Sequence, residues 1–163
     1  MRGRSAALTL FIALWSAFGI RLLRVWEQLP AAVAVHFGGS GRANGWQSKP
    51  SFVVWIALEM GIALLLLGAG IWLRWLPVWL INVPNPRYWL MEERRVAAVE
   101  RLGVLMSWLA VITSVFLVGI NEIVLRANLT GIFPGQATWA LVGFFLTALL
   151  AWILLYYRRF RLP

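Results

Sequence analysis

The sequence predicts an all-α integral membrane protein with four transmembrane helices. Hydrophobic residues make up 61% of the 163-residue chain and charged residues 13%, a far more apolar balance than soluble domains have. Four apolar runs are each long enough to cross a hydrocarbon core about 30 Å thick. Arginine and tryptophan residues cluster at the ends of these runs, where such residues anchor helices at membrane interfaces. We expect one membrane domain over residues 1–163, with spans at 5–26, 51–75, 102–125 and 137–157.

Composition excludes several kinds of chemistry. The chain contains no cysteine, so it can form neither a disulfide nor a thiolate metal site. Its formal charge of +9 would suggest nucleic acid in a soluble protein. Here the basic residues flank apolar runs and never form a basic stretch with interleaved aromatic residues on a soluble segment. We therefore expect the lipid bilayer, and not nucleic acid, to be the partner of these charges.

The distribution of basic residues predicts which end of the bundle faces the cytoplasm. An even number of spans places both termini on the same side. If the N-terminus is inside, ten basic residues lie inside and five lie outside, which favours an N-in, C-in orientation. Residues 27–50 then form an outer loop, and residues 76–101 form a cytoplasmic segment. The five basic residues assigned to the outer side are Arg21, Arg24, Arg42, Lys49 and Arg126.

The outer loop is predicted to be ordered. Pro30 ends the preceding helix, and residues 33–37 then alternate in hydrophobicity, which is the period of a strand. Several glycines and the pair Asn44-Gly45 favour tight turns. We therefore expect a small hairpin or compact loop over the membrane surface, with Pro50 in the first turn of the second span.

The cytoplasmic segment is interrupted by prolines before an amphipathic stretch. Asn85 followed by Pro86 predicts a helix start, with the Asn85 side chain as its cap. Residues 87–101 are typical of an amphipathic helix at the membrane surface, in which Glu92 and Arg95 are spaced to pair across one turn. No proline separates this helix from the third span, so nothing in the sequence prevents the two from being continuous.

Charged and polar residues are predicted to converge at the outer end of the bundle. An unpaired ion inside a bilayer costs at least about 2.5 kcal/mol, so each charged side chain is expected to face the bundle interior beside a partner. The natural ion pairs join Glu59 and Glu122 to the nearby arginines. The predicted buried charge cluster consists of Arg21, Arg24, Glu59, Asn121, Glu122 and Arg126.

This cluster admits a chemical and a structural interpretation. His36, Glu59 and Glu122 would form a cation site or a proton relay, and the same region would also suit a peptide or a lipid headgroup. The alternative is a set of ion pairs that locks the helices and holds the loop. We favour the structural interpretation, because no close metal-ligand spacing exists and a lone loop histidine is more often structural than a ligand.

No catalytic residue, metal or cofactor is predicted. The chain has one histidine and no aspartate, which leaves little material for a nucleophilic triad. It has no nucleotide-binding fingerprint, and a single histidine excludes paired histidine ligation of haem within the chain. Many of the eleven tryptophans fall near predicted interfaces, where the aromatic belt explains them. A non-enzymatic function is therefore favoured over an enzymatic one.

Two segments resemble a known bacterial family. The pattern L-P-x-x-V-x-x-H-F at residues 29–37, followed by N-G-W at 44–46 and S-K at 48–49, is similar to the signature of a membrane domain of unknown function. That domain forms the N-terminal part of the SdpI-like toxin-immunity and signalling proteins. Residues 81–95 are similar to a second motif in proteins that carry the domain. The motif positions are Pro30, His36, Phe37, Gly41, Asn44, Gly45, Trp46 and Lys49 in the first segment and Asn82, Pro84, Asn85, Tyr88, Trp89 and Arg94 in the second.

The resemblance implies a multi-pass protein of the bacterial plasma membrane with the signature loop outside. We expect a non-enzymatic role in immunity or envelope signalling, in which the loop binds a peptide or a partner membrane protein. Two other functions remain open. One is an accessory subunit of a larger membrane complex. The other is an intramembrane metal- or proton-dependent enzyme or transporter that uses His36, Glu59 and Glu122.

Overall fold

Helices that follow the apolar runs make up most of the fold. The computed structural model describes residues 2–162 and the side chains of residues 3–162. Four helices are long and apolar enough to cross a membrane, which confirms the predicted number of spans and indicates a multi-pass membrane protein. In chain order the elements are α1 (Arg2–Val25), β1 (Ala32–Phe37), β2 (Ala43–Ser48), α2 (Lys49–Trp72), α3 (Pro86–Trp89), α4 (Glu92–Thr130) and α5 (Gly135–Arg159). Single 3-10 turns cover Trp26–Gln28, Leu73–Trp75 and Val78–Leu80.

α4 is the longest helix, and it packs against α1, α2 and α5. Its 39 residues extend about 58 Å at 1.5 Å per residue, roughly twice the thickness of a hydrocarbon core. The helix begins at Glu92, and no proline lies between Glu92 and the predicted third span. From Glu92 onward, the amphipathic stretch and the third span are one continuous helix.

Small residues lie along the buried face of α4. Gly103, Ser107, Ala110 and Ser114 are all buried and recur at spacings of three or four residues, which places them on one helix face. Side chains of this size let helix backbones approach each other inside a membrane. The Ser107 hydroxyl donates to the Gly103 carbonyl at 2.9 Å, and Trp15 Nε1 donates to Ser114 Oγ at 3.1 Å. The buried hydroxyls therefore have partners.

Two apolar clusters fill the bundle, one near each end. The first lies beneath the hairpin and joins α1, β1, α2 and α4. The second joins the end of α2, the segment before α4, α4 itself and the end of α5, and it includes the fully buried Phe160. α5 has no buried residue of its own. It packs against α4, where the rings of Phe116 and Phe145 stack 4.4 Å apart.

α3 begins at Pro86, which confirms the predicted helix start, but its cap differs from the sequence-based expectation. Asn85 precedes α3 with a left-handed backbone (φ 55°), and its side chain does not cap the helix. The side-chain amide donates instead to the carbonyl oxygen of Phe160 at 3.0 Å. The capping prediction is therefore wrong. Phe160, directly after α5, packs here, and its carbonyl oxygen accepts the hydrogen bond of the Asn85 amide.

The predicted amphipathic helix over residues 87–101 is also wrong in its first part. The helix breaks after Trp89, and only the residues from Glu92 onward belong to α4. The expected Glu92–Arg95 pair does not form either, since neither residue takes part in an ion pair within the described chain. Arg95 Nη2 donates to the Leu76 carbonyl at 2.8 Å, so the arginine ties the segment after α2 to α4.

Candidate functional site

The first motif folds into a two-stranded antiparallel hairpin. β1 and β2 pair with Ala34 opposite Trp46 and His36 opposite Gly45. The turn closes with a hydrogen bond from the Gly38 amide to the Arg42 carbonyl at 2.9 Å. The glycine-rich stretch thus forms a tight connection between two short strands.

The hairpin has a buried face and an exposed face. Val33 is buried in the first apolar cluster, and Val35 packs against that cluster. His36, Asn44 and Trp46 are exposed, and we call these three residues the exposed hairpin face. Trp46 keeps 58% of its surface accessible. The side chains of these motif residues are therefore not buried within the chain.

A side-chain hydrogen bond orders the exposed hairpin face. His36 Nδ1 forms a hydrogen bond with the side-chain oxygen of Asn44. Gly45 is required opposite His36, because a Cβ built on Gly45 would lie 2.9 Å from the His36 Cβ. The Asn-Gly pair of the motif therefore supplies both the partner of the histidine and the space for it.

Asn128 of α4 fastens the hairpin to the bundle. Its side-chain oxygen accepts from the Ala34 amide at 2.8 Å, and its side-chain nitrogen donates to the Ala34 carbonyl at 2.8 Å. The nitrogen also donates to the Val124 carbonyl at 2.8 Å. The amide of Asn128 thus replaces a neighbouring strand on the outer edge of β1. Sequence reasoning missed this residue. The available signal was its spacing of seven residues from Asn121, which puts both amides on one face of the helix.

Other motif residues position the hairpin. The Phe37 ring stacks on Phe133 with centroids 4.6 Å apart. Lys49 Nζ donates to the Trp26 carbonyl at 2.8 Å and lies 5.2 Å from the centre of the Trp26 ring. Gly41 has a left-handed backbone (φ 75°), which favours glycine. Pro30 follows the turn at the end of α1 and is exposed.

The predicted buried charge cluster is divided into two parts. Glu122 pairs with Arg21 at 3.6 Å and with Arg126 at 2.9 Å, as expected. Glu59 accepts a hydrogen bond from the side-chain amide of Asn121. The prediction that Glu59 pairs with an arginine is therefore wrong. Asn121, on the buried face of α4, lies beside Glu59 instead. Arg24 is exposed and joins none of the ion pairs found among residues 3–162.

The structure does not bring His36 together with the two membrane glutamates. His36 bonds to Asn44 within the hairpin, whereas Glu59 and Glu122 bond within the helical bundle. The described part of the chain contains no group of three or more His, Cys, Asp or Glu residues arranged to hold a metal. The geometry therefore gives no support to a relay built on these three side chains.

The second motif binds the end of α5. Trp89 Nε1 donates to the Phe160 carbonyl at 2.8 Å, beside the bond from Asn85. The Tyr156 hydroxyl donates to the Asn82 carbonyl at 3.1 Å. The Arg94 guanidinium lies 4.2 Å from the centre of the Tyr88 ring. Pro84 precedes Asn85 in the chain. The second motif therefore packs against the C-terminal part of α5 and Phe160.

One protein family matches the part of the chain that contains the hairpin. Residues 7–60 match a family described as Domain of unknown function (DUF1648). The match covers most of α1, the hairpin and the first half of α2, and it confirms the resemblance of the loop to a domain of unknown function. It includes neither the second motif nor α4, which supplies Asn128. No curated protein and no solved structure matches the chain.

Proposed function

We propose that the chain is a multi-pass protein of the bacterial plasma membrane that binds a polypeptide through the exposed hairpin face. The polypeptide is a peptide or a segment of a partner membrane protein, and the binding involves no chemical step. One observation carries the proposal. Three residues of the signature motif, His36, Asn44 and Trp46, stand exposed on a hairpin that other motif residues fix in place.

The composition of the exposed hairpin face suits protein recognition. Tryptophan is enriched among the few residues that carry most of the binding energy at interfaces. Beside Trp46, the His36 ring and the Asn44 amide supply hydrogen-bonding groups. The contacts from Asn128, Phe133 and Trp26 hold the hairpin before a partner arrives. Such preorganisation lowers the entropy cost of binding.

The edges of the hairpin favour an extended polypeptide beside β2. Asn128 occupies the outer edge of β1 at Ala34. The described sheet has two strands, so no third strand covers the outer edge of β2. Open strand edges bind extended segments by main-chain hydrogen bonds, and neighbouring side chains then give specificity. Asn44 and Trp46 of β2 would contact such a segment directly.

The distribution of basic residues supports an outer position for the hairpin. The excess of arginine at the opposite end of the bundle favours a cytoplasmic position for that end, so we place the hairpin outside. The resemblance of the loop to SdpI-like proteins supports a role in immunity or envelope signalling, where a protein at the outer surface meets secreted or membrane-bound polypeptides.

Trp46→Ala is expected to weaken binding of the polypeptide at least about tenfold. A tryptophan that becomes buried at the centre of an interface typically contributes 2 kcal/mol or more, and about 1.4 kcal/mol corresponds to a factor of ten. The measurement uses a photoreactive amino acid at position 42, which is exposed two residues before Asn44. Crosslinking is performed in native membranes, and the crosslinked polypeptide is identified and quantified by mass spectrometry.

The matched control is Trp139→Ala. Trp139 is 77% exposed near the start of α5, so this variant removes an exposed tryptophan that does not belong to the hairpin. The proposal predicts that the crosslink yield falls in Trp46→Ala and stays unchanged in Trp139→Ala. If no polypeptide is crosslinked, or if both variants lower the yield equally, the hairpin is not the binding surface.

A second candidate function is an accessory subunit of a larger membrane complex. It is supported by α5, which has no buried residue and packs mainly against α4. A partner helix could cover the remaining surface of α5. In that case, a stoichiometric partner should co-purify in mild detergent and should be lost in Trp139→Ala while Trp46→Ala retains it. This is the reverse of the pattern expected for the hairpin.

A further inference from the structure

A cavity of about 450 Å³ opens at the end of the bundle opposite the hairpin. It lies between the start of α1, the end of α2 and the start of α4. Its lining includes three arginines, Arg4, Arg74 and Arg95, and one glutamate, Glu100. None of these four residues belongs to an ion pair within the part of the chain described. The lining therefore carries three positive charges and one negative charge, so Glu100 alone does not neutralise the arginines.

Arg4 has an unsatisfied donor at this cavity. Its Nη2 atom is buried and has no hydrogen-bond partner among residues 2–162. The group occupies a crevice at Gly70 and Gly103, where a Cβ built on Gly70 would lie 3.0 Å from Arg4 Nη2. A buried charged donor without a partner is unfavourable. Arg4 also lines the cavity, so an anion there would offset its charge and accept from its other N–H groups.

The other two arginines are held in place but keep free donors. Arg95 uses Nη2 to bind the Leu76 carbonyl at 2.8 Å. The Arg74 guanidinium lies 3.9 Å from the centre of the Trp75 ring. A guanidinium carries five N–H donors, so these contacts fix the groups while other N–H groups remain for a ligand. Forked donors of this kind match the oxygens of a phosphate.

The walls of the cavity favour a phosphate that carries acyl chains. Ile71, Val96 and Val99 also line the cavity, and Val96 is 70% exposed. Free phosphate would use the arginines and leave the exposed side chains of Ile71 and Val96 in water. A phospholipid would contact both, since the cavity lies at the ends of helices long enough to cross a membrane, where lipid headgroups are found.

We propose that Arg4, Arg74 and Arg95 bind the phosphate of an anionic phospholipid headgroup in this cavity. The acyl chains lie against Ile71 and Val96. The site is separate from the exposed hairpin face and does not depend on the polypeptide-binding function. It joins α1, α2 and α4 through one ligand, so bound lipid stabilises the contact among these three helices.

The test measures lipid retention by the purified full chain. Native mass spectrometry in a neutral detergent compares phosphatidylglycerol with phosphatidylcholine at equal concentration, and thermal melts repeat the comparison with inorganic phosphate. Arg4→Gln and Arg74→Gln are expected to lower the affinity for phosphatidylglycerol about tenfold each, as the loss of one charge-assisted contact predicts. Arg158→Gln removes an equal charge from an exposed residue at the end of α5, and it should leave the affinity unchanged.

Each outcome decides for or against the lipid site. Preferential retention of phosphatidylglycerol that is lost in Arg4→Gln and Arg74→Gln supports it. Equal retention of both lipids, or an equal loss in Arg158→Gln, overturns it. Stabilisation by inorganic phosphate alone, with the same dependence on Arg4, would identify a free-anion site and overturn the lipid as its source. If Arg4→Gln does not fold, Arg74→Gln provides the same test, because Arg74 is exposed.

Discussion

Gly103→Ala is expected to lower the melting temperature of the protein in detergent by roughly 2 to 12 °C. A Cβ at position 103 would lie 2.8 Å from the carbonyl oxygen of Gly70 and 2.9 Å from Arg4 Cζ. The Gly70 atom belongs to the backbone of α2, so it cannot move without shifting the helix. Overpacking of this kind costs about 1 to 3 kcal/mol, and each kcal/mol corresponds to about 2 to 4 °C for a chain of this size.

The large effect follows from how helices associate in a membrane. Lipid chains are as apolar as leucine side chains, so helix contacts depend on close packing between small residues. Gly70 and Gly103 face each other at the closest approach of α2 and α4, since a Cβ on either glycine would lie under 3 Å from the carbonyl oxygen of the other. An added methyl group would separate the two helices and remove contacts along both.

The matched control for this prediction is Gly61→Ala, in the middle of α2. No atom lies within 4 Å of a Cβ built there, and alanine favours a helix over glycine by up to about 1 kcal/mol. Gly61→Ala should therefore leave the melting temperature unchanged or raise it slightly. Equal melting temperatures for the two variants would show that α2 and α4 do not approach each other at Gly103.

Asn128→Ala is expected to release the hairpin from the bundle while the helices stay folded. The variant removes the three hydrogen bonds that Asn128 makes to Ala34 and Val124 and leaves polar groups of β1 without partners. At about 1 kcal/mol for each of the two bonds to β1, protection of the β1 amides should fall roughly thirtyfold. Hydrogen–deuterium exchange of peptides that cover residues 32–37 measures this loss.

Two further variants separate the contribution of Asn128 from a general loss of stability. Asn128→Asp keeps an acceptor for the Ala34 amide but loses the donor to the Ala34 carbonyl, so its effect should be intermediate. Asn44→Ala removes an asparagine from the exposed hairpin face, and protection at Ala34 should not change. Unchanged exchange of β1 in Asn128→Ala would contradict the claim that this side chain holds the hairpin.

The number of spans and the region of the hairpin could be predicted because both depend on local patterns. Apolar runs of bilayer length specify the helices, and alternating residues followed by Asn44-Gly45 indicate two strands joined by a turn. The continuity of α4 from Glu92 into the third span is a local feature too, since no proline lies between them.

The partners of the polar side chains could not be predicted in the same way. Asn128 and Ala34 are 94 residues apart, and Asn121 and Glu59 are 62 apart. Such contacts depend on the rotation and height of one helix against another, which hydrophobic periodicity does not specify. The same reason explains why Asn85 binds Phe160 and does not cap α3. The pairing of Glu122 with Arg126 could be predicted because the two residues are four positions apart on one helix.

The proposed function requires the hairpin to lie outside the plasma membrane, and cysteine accessibility tests this most directly. The chain has no cysteine, so single substitutions report one position each. Ser40→Cys lies exposed in the hairpin turn, and Glu93→Cys lies exposed at the start of α4. In intact cells, a membrane-impermeant maleimide should label Ser40→Cys and should reach Glu93→Cys only after permeabilisation. Labelling of Glu93→Cys with protection of Ser40→Cys would place the hairpin in the cytoplasm and contradict the proposal.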